Sequence, residues 1–357
     1  MKSYESDVVS VVREGEDFDR EAFHSYILKH LDWWPDQPLE VTQFSVGYSN
    51  LTYLIRCGNE EVVMRRPPLG PLPPKAHDMK REFSLTEKLH PAFPYVPKPY
   101  HLCEDKSIIG VPFYIMERKE GYVFDTKFPA DFTVTEEKCK QISYAAVDSL
   151  AQLHQIDYKE IGLENFGRPN GFLERQVNSW IQRYQRSKTH DIPFFDKLAK
   201  WFTENMPSSQ EATVIHNDYK LNNMMFSKQN VNKVVGVFDW ELAAIADPLI
   251  DLAAALGYWT QQNDWESVKQ SLPSLTSSPG FITRDEYIHR YSLRTGKDIP
   301  PLHFYMAFTY FKTAVVMQQI YFRWFNGQTK DNRFSTLDQS IYSLMKYANE
   351  IIETKKY

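Results

Sequence analysis

The residues best suited to chemistry fall in two short segments. In Val214-Ile215-His216-Asn217-Asp218-Tyr219-Lys220-Leu221-Asn222-Asn223, an aspartate is followed five residues later by an asparagine. A second acidic site follows in Val237-Phe238-Asp239-Trp240-Glu241. This order suits phosphoryl transfer, which needs one carboxylate aimed at an acceptor hydroxyl and separate oxygen ligands to hold Mg²⁺ against phosphates. Asp218 is the candidate base, and Asn223 and Asp239 are the candidate Mg²⁺ ligands. Asn222 adjoins Asn223, and the five-residue interval selects Asn223. Turn or capping work would explain any one of these residues, but not the set.

The neighbouring residues narrow the type. Protein kinases carry His-Arg-Asp and Asp-Phe-Gly at the equivalent places, whereas this chain has Asn217 between His216 and Asp218, and Asp239-Trp240-Glu241. With Ala246-Asp247-Pro248-Leu249-Ile250-Asp251-Leu252-Ala253, the pattern resembles the aminoglycoside phosphotransferase and choline kinase-like family. The segments Val63-Met64-Arg65-Arg66-Pro67-Pro68-Leu69-Gly70 and Arg81-Glu82 are similar to the subgroup whose kinase-like domain is also found fused to acyl-CoA dehydrogenases. The resemblance implies an α+β, protein-kinase-like two-lobed fold, with ATP and Mg²⁺ in the cleft. It also implies a structural His216 behind the loop and an Asp251 carboxylate that ties down the loop backbone. Nothing after Trp240 resembles an activation segment ending in Ala-Pro-Glu, which argues against protein substrates.

Other elements must position these groups. Segments 39–44, 52–56 and 61–65 read as strands, 100–103 and 112–116 as two more, and 18–31 and 76–89 as helices. The loop Ser45-Val46-Gly47-Tyr48-Ser49-Asn50 contains small residues through which backbone N–H groups could approach phosphate oxygens, with Gly47, Ser49 and Asn50 the candidates. Arg65 occupies the strand position where most kinases place a phosphate-binding lysine, and Glu82 is its candidate helix partner; the competing reading is a solvent-facing arginine and an ordinary surface glutamate. Lys75, His77, Lys80 and Arg81 join Arg65 and Arg66 in a local basic cluster, either a solvated face or a patch for an anionic substrate. Five prolines between Pro67 and Pro74 make a stiff connection. By the resemblance, Glu117 and Arg118 lie at the hinge that hydrogen-bonds the purine. The lobe boundary is placed there, giving a β-rich nucleotide lobe over 1–117 and a mainly helical lobe over 118–357. Thr135 caps a long helix to Gln155, with Glu136 and Glu137 in its first turn and a buried stripe of Ile142, Ala145, Ala146, Ser149, Leu150 and Leu153.

Composition bounds the alternatives. The 357 residues carry a formal net charge of −5, so no global basic field draws the chain to nucleic acid or an anionic membrane. Three cysteines, Cys57, Cys103 and Cys139, are widely spaced, odd in number, and fit a reducing cytoplasm. The most apolar stretch, 234–259, is broken by Asp239, Glu241, Asp247 and Asp251, which speaks against a membrane span. The expectation is an ATP- and Mg²⁺-dependent small-molecule kinase acting on a hydroxyl. Three further readings stay open: a hydroxyacyl-CoA-type acceptor, an aminoglycoside or choline-type alcohol, and a non-catalytic nucleotide-binding regulator.

Overall fold

The structure, a computed structural model, describes residues 9–44, 50–70, 77–208 and 211–357. Gly47, Ser49 and Lys75 lie outside the described residues. The chain forms two compact units, residues 1–120 with 235–241, and residues 121–234 with 242–357.

The first unit is built on an antiparallel sheet. Its strands are β1 (Val9–Ser10), β2 (Leu39–Phe44), β3 (Leu51–Cys57), β4 (Glu60–Arg66), β5 (Pro99–Cys103) and β6 (Phe113–Met116), in the order β1-β2-β3-β4-β6-β5. Alternation along β4 gives the sheet two unlike faces. Val62 and Met64 join Tyr53, Ile55 and Phe113 in a core closed by Phe23 and Ile27 of helix α1 (Arg20–Ile27). That helix starts two residues later than expected because Asp19 caps it, its side chain accepting the Ala22 N–H, and it ends at Ile27 with Leu28 as its C-cap. The odd-numbered side chains of β4 turn to the other face, where helix α2 (Met79–Leu89) brings Glu82. Asp78 caps α2 three residues later than the apolar pattern begins. Between β5 and β6 lies a short helix α3 (Lys106–Ile109), capped by Asp105 and ended by left-handed Gly110.

The second unit is mainly helical. Its long helices are α4 (Glu136–His154), α5 (Phe172–Ser187), α6 (Phe195–Glu204), α7 (Pro248–Tyr258), α9 (Arg284–Thr295), α10 (His303–Phe325) and α11 (Leu337–Thr354), with a short α8 (Glu266–Ser271). Thr135 caps α4, and the stripe from Ile142 to Leu153 is buried. Strand β7 (Thr213–Ile215) pairs antiparallel with β10 (Ala244–Ala246), and both enter the core. Two other short strands occur, β8 (Met224–Phe226) and β9 (Val234–Val237), the latter leading into the 235–241 segment. Among the described residues, no helix is long and apolar enough to cross a membrane.

Candidate functional site

Strand register builds the first cluster, which lies in the first unit. Arg65 stands opposite Thr52 on β3 and Tyr114 on β6. Its Nη2 donates to Asp239 Oδ1 at 2.6 Å and lies 3.8 Å from Glu241 Oε2, while its Nε is 3.2 Å from Glu82 Oε1. Tyr114 donates its hydroxyl to the same Glu82 oxygen at 3.0 Å. One guanidinium thus faces three carboxylates. The fit to Glu82 is incomplete, because Arg65 Nε and Glu82 Oε2 have no hydrogen-bond partner among the described residues. Burial opposes the charge on Arg65, but attraction to Glu82, then Tyr114, Asp239 and Glu241, outweighs it and raises its proton affinity. For Glu82 burial dominates and holds its carboxyl above the ordinary range despite Arg65.

Asp239 follows β9 and has φ of +66°, a conformation costly for a side chain other than glycine's. Asn50 donates to Glu241 Oε2 at 2.9 Å and pairs its Oδ1 with His77 Nδ1 at 2.8 Å, so both ends of its amide are engaged within the protein. The carboxylates of Asp239 and Glu241 are hard oxygens suited to Mg²⁺, and with Glu82 they make three carboxylates to the two guanidinium groups of Arg65 and Arg81. Among the described residues, no three or more His, Cys, Asp or Glu side chains form a metal cage. Mg²⁺ held by one or two carboxylates plus phosphate oxygens needs none.

The basic cluster read from sequence is brought together in part: Arg65, His77 and Arg81 meet at Glu241, whereas Arg66 and Lys80 turn elsewhere. Arg66 points to the α1 face, where its Nη2 donates to Glu16 O at 2.7 Å and to the Tyr53 hydroxyl at 2.8 Å. Its guanidinium also sits 5.6 Å from the Phe18 ring centroid and 5.1 Å from that of Tyr53. Lys80 pairs with Glu104 at the surface, and Arg81 donates to Glu241 O at 3.3 Å. At the expected hinge, Glu117 N–H donates to Lys98 O at 2.8 Å and the Glu117 carboxylate accepts the Lys98 N–H at 3.0 Å. Arg118 pairs with Glu61 and approaches Glu120. The side chains of Glu117 and Arg118 are therefore occupied.

The second cluster lies in the second unit and starts from the buried strand β7. His216 is fully buried, and Asn217 follows with φ of +69°. The Asp251 carboxylate, also fully buried, fixes this bend. Its Oδ2 accepts the His216 N–H at 2.6 Å, its Oδ1 accepts the Asn217 N–H at 2.8 Å, and His154 Nε2 lies 3.1 Å from Oδ2. Burial works to raise the Asp251 carboxyl, but the bond and charge of His154, His216 and the backbone N–H groups carry it below the ordinary range. Asp218 comes next, with its N–H on His216 Nδ1 at 3.3 Å. Asn223, at the end of a 3₁₀ turn (Leu221–Asn223), donates Nδ2 to Asp218 O and to Asp218 Oδ2, both at 2.9 Å. Its amide oxygen takes no part in those bonds.

Three partners of Asp218 escaped the sequence reading. Lys220 Nζ lies 2.9 Å from Asp218 Oδ2. Tyr258, on α7, lies beside the same carboxylate, and burial, then the charge and bonding of Asp218, push its hydroxyl well up. Lys312, on α10, donates to Asn217 Oδ1 at 2.9 Å; burial lowers its proton affinity, opposed by the charges of Asp218 and Asp251. Lys220 was visible two residues after Asp218. Tyr258 and Lys312 had no local signal.

Beside this loop is a cavity of about 230 Å³, lined by Phe124, Tyr219, Lys220, Tyr258, Trp259 and Leu272 among others, with Asp125 its sole carboxylate among the described residues. Asp125 accepts a bond from Asn222 Nδ2 at 3.2 Å, while the buried Asn222 Oδ1 has no partner among the described residues.

This loop, with its following acidic turn, lies inside a match to the profile described as the phosphotransferase enzyme family, over residues 40–280. The chain belongs to that family. Its relatives include acyl-CoA dehydrogenase family member 11 of Gallus gallus, 34% identical over 328 residues, covering 89% of this chain and 41% of the relative. Another is acyl-CoA dehydrogenase family member 10 of Mus musculus, 33% identical over 322 residues, covering 89% of this chain and 30% of the relative. The chain therefore spans less than half the length of these relatives. A solved structure from Ralstonia eutropha, described as a candidate aminoglycoside phosphotransferase, is 29% identical and superposes with a TM-score of 0.77 over 94% of this chain and 99% of its own. Choline kinase from Cryptosporidium parvum shares the fold at 14% identity, with a TM-score of 0.63 over 94% of this chain and 97% of that one. The fold of this phosphotransferase family member is accordingly kinase-like, with an antiparallel β-rich unit and a helical one.

Proposed function

We propose that the chain transfers the γ-phosphoryl group of ATP to a hydroxyl of a small molecule, with Asp218 as the base. The observation that carries this reading is Asp218 itself, held by Asn223 and by the Asp251-anchored bend beside a cavity. A fixed carboxylate orients an acceptor hydroxyl and spends no energy on reorganisation when the reaction occurs. As the hydroxyl oxygen bonds to the γ-phosphorus, its proton passes to Asp218 and the bond to the β–γ bridging oxygen breaks, leaving ADP. Mg²⁺, for which Asn223 and Asp239 are the proposed ligands, would neutralise charge on the phosphate oxygens. Arg65, with Asn50, Gly47 and Ser49, is assigned to the phosphates, and main-chain groups around Glu117 and Arg118 to the purine. Lys220 faces Asp218 from within the cavity wall and suits an anionic reacting group.

For the acceptor we favour a hydroxyl on an acyl-CoA-type chain over an amino sugar or a choline-type alcohol. The cavity is largely aromatic and aliphatic and carries a lysine. Its one carboxylate, Asp125, is already bonded to Asn222. A polycationic sugar would require several carboxylates in its place. The names of the acyl-CoA dehydrogenase family relatives point the same way.

The test is to incubate the protein with Mg²⁺, ATP and, separately, hydroxyacyl-CoA thioesters, aminoglycosides and choline. Mass gain of one phosphate is then read, with Asp218→Asn as control. Phosphorylated thioester from the wild type alone is the expected result. Phosphorylated aminoglycoside or choline instead would move the acceptor class, and no ATP-dependent product with any acceptor would count against the kinase reading. Asp239→Ala should weaken nucleotide binding only when Mg²⁺ is present, and equal metal dependence in mutant and wild type would remove that ligand.

A further inference from the structure

Arg65 stands where a metal's charge would be needed. Its Nη2 is 2.6 Å from Asp239 Oδ1, yet the glutamate across from it is left short of partners. Glu82 is only 3% exposed and its Oε2 has none among the described residues, while Arg65 Nε also lacks one. The 3.2 Å separation of Nε from Glu82 Oε1 is an ion pair without hydrogen-bond alignment. Unsatisfied buried polar atoms are costly, and a planar fork can satisfy both carboxylate oxygens of one glutamate at once. A guanidinium turned fully onto Glu82 would engage both of its oxygens and release Asp239. What holds Arg65 in its first seat is charge: its Nη2 pairs with Asp239 at 2.6 Å and approaches Glu241 at 3.8 Å.

We propose that Arg65 is the resident counter-cation of Asp239, and that it shifts fully onto Glu82 when a divalent cation takes Asp239. The inference rests on Asp239 as a metal ligand and adds a competitor built into the chain. Arginine suits the exchange better than the commoner lysine, because its fork can keep one hydrogen-bonding edge on Glu82 while the other reaches Asp239. No covalent change is involved. The metal-free form keeps the acidic turn neutralised, and the metal-bound form gains the hydrogen bonds now missing at Glu82.

The experiment uses Mn²⁺ alone, without nucleotide, titrated into the full chain by calorimetry and by paramagnetic water relaxation. Arg65→Gln and Arg65→Met should bind Mn²⁺ about tenfold more tightly than the wild type, because the competitor is gone. Arg81→Gln removes a nearby positive charge, that of the guanidinium donating to the Glu241 main-chain oxygen, and should change affinity by less than about threefold. A thermal melt confirms that each variant is folded, and the glutamine variant, which keeps a hydrogen-bonding side chain, covers the case in which the methionine variant fails. In the wild type, Mg²⁺ should slow hydrogen exchange at the one arginine Nε–H whose signal is lost in Arg65→Gln. Equal Mn²⁺ affinity in wild type and both Arg65 variants would overturn the competition while leaving Asp239 as a ligand. An Arg81→Gln gain as large as that of Arg65→Gln would reduce the effect to general field and also overturn it. No Mn²⁺ binding in any variant would overturn both this proposal and the metal assignment, without touching the test for phosphoryl transfer.

Discussion

Around Arg65 one cation faces three carboxylates, whereas Asp218 is a carboxylate flanked by Lys220 and, through Asn217, by Lys312. The same kinds of side chain are used with opposite sign. The first arrangement is short of positive charge and favours an incoming cation. The second balances Asp218 and Asp251 with Lys220, Lys312 and His154, and sets Lys220 in the cavity wall where an anion can meet it. Both hold a residue in the left-handed region, Asp239 at φ +66° and Asn217 at φ +69°, where the surrounding bonds must outweigh the strain. The two differ in completeness. Asp251 has both oxygens in hydrogen bonds, while Glu82 leaves one unused. A fully bonded group serves as a fixed support, and an incompletely bonded one leaves room for movement.

The comparison can be broken most forcefully at Asp218. Asp218→Asn should lower phosphoryl transfer by about 10²–10⁴-fold or more while nucleotide affinity stays near wild type. Near-normal turnover in that variant would take the catalytic assignment away from the lysine-flanked cluster. Next in size is Arg65→Ala, which strands the buried Glu82 and should cost about 3–5 kcal/mol of folding stability. In a double-mutant cycle with Glu82→Ala, chemical denaturation should show coupling of at least about 1 kcal/mol, and additive losses would show that the two do not depend on each other. Arg65→Lys should lose less, since it keeps a charge for the carboxylates.

Asp251 and Glu82 should also respond to acid with opposite sign. Asp251 binds its proton less readily when folded, so the stability it contributes is present above the unfolded carboxyl value and drains away as pH falls below it. Glu82 is raised, so its ionisation costs stability as pH climbs from the unfolded value towards its own. Asp251→Asn should cost about 2 kcal/mol at neutral pH, and its melting temperature should fall less steeply than the wild type's below about pH 4. Parallel acid limbs would show that Asp251 is not the group responsible. The smallest effect is expected at the exposed Lys80–Glu104 pair, where Lys80→Ala should change stability by less than about 0.5 kcal/mol. A larger loss there would mean that surface charges of the first unit act together with the Arg65 cluster.

Much of the local structure was readable along the chain. The five strands of the first unit beyond Val9–Ser10 and the Thr135-capped helix appear close to where alternation, helical spacing and a capping residue put them. Asp218 and Asn223 lie close enough in sequence for one turn to join them, and their hydrogen bond is of that local kind. Helix ends were less readable: Asp19 and Asp78 start α1 and α2 two and three residues after the expected positions, and α1 stops at Ile27 although the apolar spacing runs on to Leu31. Alternation also required Arg65 and Arg66 to point to opposite faces of β4, but not which face would receive which partner. The basic cluster inferred around them formed only in part for that reason: Arg66 is engaged by Glu16, Tyr53 and Phe18, while Arg65, His77 and Arg81 meet at Glu241.

By itself the sequence determined the order of chemical groups, the strand and helix periods and the acidic turn after β9, because each depends on residues a few positions apart and on backbone geometry that repeats every two or 3.6 residues. Only the tertiary structure decided that Glu82 is buried against Arg65 and Tyr114, that Asp251 reaches back to the backbone of His216 and Asn217, and that Lys312 meets Asn217 from another helix. These pairings join distant points of the chain. They form only once packing of the sheet and helices has met the entropy of closing long loops, a term that no short stretch of sequence contains.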